Sequence, residues 1–220
     1  MPGRFSLSLA SGVSATLAIG LPLSSPSLSW LAYGFMPLTL VLLLALALTA
    51  PPSQPPRYRR GIVVGLAFSL AGDVFLMLPR DRFLAGLCCF LLAHVGYLVA
   101  LTSDSRFAVK PLPFVLLGGT GTALMLVLWA GIPPALRLPV LVYAGVLLAM
   151  AAQAASRALD RRTPLAVAAA IGAILFVVSD SLLALKRFGY PIPASRVLVL
   201  APYFVAQWLI ALSATTPRRR

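Results

Sequence analysis

The chain has 220 residues, 60% of them hydrophobic and only 10% charged. A soluble domain carries roughly a quarter charged residues, so this composition excludes an ordinary soluble domain and marks an integral membrane protein. The 18 Lys and Arg against 5 acids, a net charge of +13, would suggest nucleic-acid binding in a soluble chain. Here the basic residues sit in short loops and at the chain ends, as the positive-inside rule and anionic headgroups require, which argues against nucleic acid.

A membrane span needs about twenty apolar residues. In chain order, hydropathy predicts an all-α, polytopic bundle of about eight transmembrane helices at 6–22, 28–50, 61–79, 83–101, 112–131, 136–156, 164–185 and 196–214, a single transmembrane domain over 1–220. The breaks are rich in Pro and Arg, as in PPSQPPRYRR (51–60), GIPPALR (131–137) and LDRRTP (159–164). Proline there ends helices where that is cheap. The first span is the least apolar and could be a signal peptide. No clear small-x-small cleavage site follows it, which favours a true span.

The third span opens with GIVVG (61–65), a small-xxx-small contact surface, and carries Asp73 beside Gly72, which lets a neighbouring helix approach. Ser69, Leu76 and Met77 share the Asp73 face. The fourth span contains the adjacent Cys88 and Cys89, read as small core residues because neighbours on a helix rarely bridge. It also holds the only histidine, His94, with Tyr97 on the same face three residues on. The seventh span carries Asp180 between Ser179 and Ser181, whose hydroxyls can bond the preceding turn or hold the carboxylate. In the eighth, Tyr203 and Gln207 share a face, and Pro202 loosens the helix beside them.

With the N-terminus inside, the inner face receives 12 basic residues, among them Arg57, Arg106, Arg157 and Arg218 to Arg220. The outer face receives 6: Arg80, Arg82, Arg137, Lys186, Arg187 and Arg196. That bias places both termini in the cytoplasm. Asp81, Asp104 and Asp160 fall in loops beside basic residues. Asp73 and Asp180 fall inside spans, nearer the outer leaflet, where a carboxylate is costly and ordinarily functional. GDVFLMLPRDRF (72–83) and SDSLLALKRFGY (179–190) share a pattern, and each precedes a span with a polar pair, His94 with Tyr97 and Tyr203 with Gln207. Such a repeat would divide the bundle into two four-helix halves of like orientation.

No Gly-rich phosphate loop, Walker-type lysine or G-x-S-x-G elbow occurs. One His, two span Asp and two adjacent Cys suit a catalytic zinc poorly, so neither a metal nor another cofactor is expected. A lone buried His is more often a packed core residue than a ligand, and a Tyr in a span is mostly packing. High Arg, Ala and Leu with almost no Glu or Lys suggest a GC-rich bacterial source and its inner membrane.

The segments GDVFLMLP, FLLAHVGYL, SDSLLALKRF and YFVAQWLI, in this order and spacing over roughly 61–214, resemble the YhhN-like lysoplasmalogenase family. The resemblance implies an eight-span membrane enzyme that hydrolyses the vinyl ether of a lysoplasmalogen to a fatty aldehyde and a glycerophospho-headgroup. It places the active site at Asp73 and Asp180, with a lysophospholipid as the substrate. The chemistry suits two carboxyls. One delivers a proton to the β-carbon of the vinyl ether, and the other, ionised, steadies the oxocarbenium ion and guides water, a division of labour like that of glycosidases. Two carboxyls in one membrane pocket would hold one proton between them. His94, Tyr97, Tyr203 and Gln207 are expected to line the pocket, binding the glycerol-phosphate end or orienting the acids. Three other readings stay open: a proton-coupled small-molecule or lipid transporter, a hydrolase of another lysolipid, and a structural protein with the aspartates as interhelical locks.

Overall fold

The computed structural model describes residues 2–49 and 54–215. Arg218 to Arg220, counted above on the inner face, and the start of the Pro-rich break at 51–53 lie outside the described residues. The elements are α1 (Pro2–Ser24), a 3-10 turn (Pro26–Leu31) leading into α2 (Ala32–Thr49), α3 (Pro56–Met77), α4 (Phe83–Leu101), α5 (Leu112–Leu128), α6 (Pro134–Arg161), α7 (Pro164–Arg187) and α8 (Ser195–Ser213). Among the described residues eight helices are long and apolar enough to cross a membrane. Hydrocarbon offers backbone groups no partner outside the chain, and only helices or closed barrels satisfy them all.

Proline opens α3, α6 and α7, where its fixed φ suits the first turn and its missing N–H is not needed. At the α6–α7 corner Arg162 takes a left-handed conformation (φ 52°) that ends α6. The hydroxyl of Thr163 then accepts the Ala166 N–H at 3.2 Å and caps α7.

Six helices close a ring: α2, α3, α4, α6, α7 and α8 each pack on the next, α8 returns to α2, and α3 and α8 also touch. The helix α1 lies outside against α2 and α8, and α5 lies outside against α6. The tightest seam joins α3 to α4. A Cβ at Gly61 would sit 2.7 Å from the Gly96 carbonyl oxygen, and one at Gly96 would sit 3.1 Å from the Gly65 nitrogen. The GIVVG segment is therefore the face on which α4 rests, with backbone close to backbone.

Two helices run past their apolar stretches. The helix α3 starts at Pro56 and α6 continues to Arg161, because polar contacts at that end of the bundle support the extra turns. Arg59 Nε donates to the Ala47 carbonyl at 2.7 Å and its Nη2 to the Leu48 carbonyl, capping the C-terminal turn of α2. Arg157, read above as a loop cation, is 1% exposed within α6. Its Nε and Nη2 reach the two Asp104 oxygens, each at 2.7 Å, and its guanidinium lies 4.7 Å over the Tyr58 ring. Gln153 takes the Ala108 N–H at 3.0 Å and gives to the Leu101 and Arg106 carbonyls, so the whole α4–α5 loop is pinned to α6. Cys88 and Cys89 are free thiols, and Cys88 is exposed on the outside of α4 rather than packed in the core.

Removing one partner of such a buried pair strands the other. Arg157→Met or Asp104→Asn is expected to cost about 3–5 kcal/mol, read as a lowered melting temperature in detergent. Replacing both residues with apolar ones should recover most of the loss.

Candidate functional site

Asp73 lies in the last turns of α3 and Asp180 in the last turns of α7. Both line one cavity of about 440 Å³ that reaches the surface at the end of the bundle bearing Lys186 and Arg196. The cavity has apolar walls, including Leu76, Leu87, Phe90, Val140, Leu183 and Leu200. Into these walls are set two acids and the phenols of Tyr143 and Tyr203, with Tyr33 also in the lining.

Each carboxyl is held by one tyrosine from a different helix. The Tyr203 hydroxyl of α8 donates to Asp73 Oδ2 at 2.9 Å. The Tyr143 hydroxyl of α6 donates to Asp180 Oδ2. Asp73 is nearly covered, at 4% exposed, whereas Asp180 is half-buried. Gly72 creates the space beside Asp73: a Cβ there would come within 2.7 Å of the Phe90 ring. Ser179 does not hold its neighbouring carboxylate. Its hydroxyl donates to the Val199 carbonyl at 2.9 Å and ties α7 to α8 at that level. The helix α8 continues through Pro202.

Of the six residues singled out in the sequence, Asp73, Asp180 and Tyr203 meet at the cavity. His94, Tyr97 and Gln207 are fully buried and stand apart from its lining. The Tyr97 hydroxyl donates to Gln207 Oε1 at 2.7 Å, and Ser69 Oγ lies 3.4 Å from the same hydroxyl. These groups join α3, α4 and α8 behind the acids. The His94 ring sits edge-on to Phe176 at 4.7 Å and to Tyr143 at 5.3 Å, with both ring nitrogens free of hydrogen bonds. It packs against the phenol that holds Asp180, so it touches the site through Tyr143.

Tyr143 was not singled out from the sequence. It sits in an apolar run, LPVLVYAGVLL, where a tyrosine ordinarily reads as packing. The available signal was a phenol hydroxyl in mid-span, which needs a partner away from water. Lys186 and Arg196 were read as outer-loop charges. They line the cavity rim together with Ser29, Tyr33 and Ser195.

Two carboxyls, each accepting from a phenol, thus face one apolar slot that opens at the surface. The arrangement suits proton delivery to a hydrophobic substrate followed by attack of water.

The model of the YhhN family matches residues 31–214. Lysoplasmalogenase TMEM86A of Bos taurus is 37% identical over 172 residues, covering 71% of this chain and 66% of that protein. Lysoplasmalogenase TMEM86A of Homo sapiens is 34% identical, covering 90% of this chain and 83% of that protein. The membrane protein YhhN of Escherichia coli O6:H1 is 31% identical, covering 91% and 94%. No solved structure matches the chain.

The difference in cover between the two acids can be measured. A hydrophobic carbodiimide should modify Asp180 well before Asp73, read by mass spectrometry of peptides from the labelled protein. Tyr203→Phe should bring the Asp73 rate up towards that of Asp180.

Proposed function

We propose, starting from the fact that this chain belongs to the YhhN family, that it is a membrane lysoplasmalogenase whose acid chemistry is carried by Asp73 and Asp180. The lysoplasmalogenase relatives at 34–37% identity support the activity. The observation that supports the mechanism is the meeting of both span aspartates, each with its own phenol, in one cavity.

The substrate is a lysophospholipid whose sn-1 chain is joined through a vinyl ether. One carboxyl of the pair transfers its proton to the β-carbon, and the enol ether becomes an oxocarbenium ion. The other, ionised, faces that cation and takes a proton from the attacking water. The hemiacetal then collapses to a fatty aldehyde and a glycerophospho-headgroup, with one water consumed. Tyr143 and Tyr203 hold the carboxyls and adjust to the change of charge through their O–H groups.

The excess of basic residues on the face bearing Arg57, Arg106 and Arg162 supports a topology with both termini in the cytoplasm. The cavity rim at Lys186 and Arg196 then faces the opposite side, and substrate enters from the outer leaflet. Composition supports a bacterial inner membrane as the location.

Purified protein in detergent should release aldehyde from vinyl-ether lysolipids and leave saturated-ether and acyl lysolipids intact. Release of fatty acid from acyl lysolipids at a comparable rate would make it a hydrolase of another lysolipid. Asp73→Asn and Asp180→Asn should each lower kcat by about 10²–10⁴-fold while the protein stays folded. Near-normal turnover in either variant would end the two-carboxyl mechanism.

A further inference from the structure

Acids are scarce in this chain, and where they go leaves two cations in a telling place. Asp81 pairs with Arg187, and Asp104 pairs with Arg157 and Arg161. Lys186 and Arg196 have no acidic partner among the described residues, yet both line the rim of the cavity that holds Asp73 and Asp180. Arg196 is partly fixed there: its Nη2 donates to the Ala18 carbonyl at 2.8 Å, while its Nε is buried with no partner. The hydroxyl residues Ser29, Tyr33 and Ser195 share the rim. The positive end of the α8 dipole points to the same place.

The register of two helices fixes the depth. Asp180 and Lys186 are six residues apart on α7, about 9 Å along the axis. Tyr203, which holds Asp73, and Arg196 are seven residues apart on α8, about 10 Å. The helices run antiparallel, so both cations stand above the acids on the same side. In a lysolipid the vinyl-ether oxygen and the phosphorus are five bonds apart, which spans about 6 Å at ordinary bond lengths. Long, bendable Lys and Arg side chains close the remaining few ångströms.

We propose that Lys186 and Arg196, with the rim hydroxyls, form a subsite for a phosphate ester, which selects phospholipid-type substrates and hangs the vinyl ether at the depth of the two aspartates. The assignment rests on the hydrolase reading and moves headgroup recognition away from His94, Tyr97 and Gln207, which stand behind the cavity. The two cations would offset the phosphate charge at the bilayer edge, where charge-assisted hydrogen bonds are strong. Arg196 can present two parallel N–H groups, and Lys186 a mobile point charge.

The test compares a vinyl-ether lysophosphocholine with the 1-alkenylglycerol that lacks the phosphate. In Lys186→Gln and Arg196→Gln the preference for the phosphate substrate, as a ratio of kcat/KM values, should fall about tenfold, with the change in KM. Arg196→Lys, which keeps the charge but not the paired N–H groups, should keep only part of it. Because Arg196→Gln also loses the tie to α1, the exposed Lys186 is the deciding position. An unchanged preference there overturns the subsite, as does an equal loss on both substrates. A second arm measures binding of a saturated-ether lysophosphocholine and of 1-alkylglycerol, which cannot be cleaved as vinyl ethers. The first should bind about tenfold more weakly to Lys186→Gln, and the second equally well to both proteins. This arm holds even if no aldehyde is released, so failure of the hydrolase reading and failure of the subsite are separable. Glycerophosphocholine or inorganic phosphate binding as tightly as the lysolipid would mark a site for soluble phosphate and overturn the lipid assignment.

Discussion

A carboxyl group inside a bilayer must find a hydrogen-bond donor or water, and this bundle supplies both at one place. The donors are phenols that arrive from other helices: Tyr203 of α8 for Asp73 of α3, and Tyr143 of α6 for Asp180 of α7. Each bond therefore also joins two helices of the ring. One bond ties the neighbours α6 and α7, and the other ties α3 to α8 across the ring. A bundle that packed differently would leave an acid stranded in hydrocarbon, a cost of several kcal/mol at least. Function and fold are constrained by one requirement.

The two halves of the site are built alike in one respect. Gly65 stands eight residues before Asp73, and Gly172 eight residues before Asp180. Each lies against the following helix: a Cβ at Gly65 would strike the Tyr97 ring at 2.1 Å, and one at Gly172 would meet the Ala206 carbonyl oxygen at 2.9 Å. In both hairpins a glycine two turns from the acid sets the helix spacing, and the acid then reaches the cavity beyond that contact.

Much of this was legible from the residues. Hydropathy and proline placement locate the helices because burial in lipid is nearly all that such a sequence must encode. Asp73 and Asp180 stand out because no bland use of a mid-span acid is cheap. The partners were harder to read. Helical periodicity places His94 and Tyr97, or Tyr203 and Gln207, on one face, but a face has no depth. Tyr203 reaches the cavity while Gln207, one turn on, is committed to Tyr97. Tyr143 looked like any apolar aromatic. Arg157 looked like a loop charge because hydropathy stops at the last apolar residue, whereas α6 runs on wherever Asp104 and Tyr58 can receive a guanidinium. Partners from distant helices are decided by tertiary contact, and one chain read in order does not contain them.

The aromatic layer beneath the acids has an electrical consequence. Phe90, Phe176 and Tyr203 meet edge-on at ring separations of 5.4–6.2 Å, and His94 closes against Phe176 on the far side. Phe90 and Phe176 carry no polar atom, so on this side the acids face a weakly polarisable wall. A change of charge at Asp73 or Asp180 is answered chiefly by the phenols that hold them and by the rim cations at the cavity mouth.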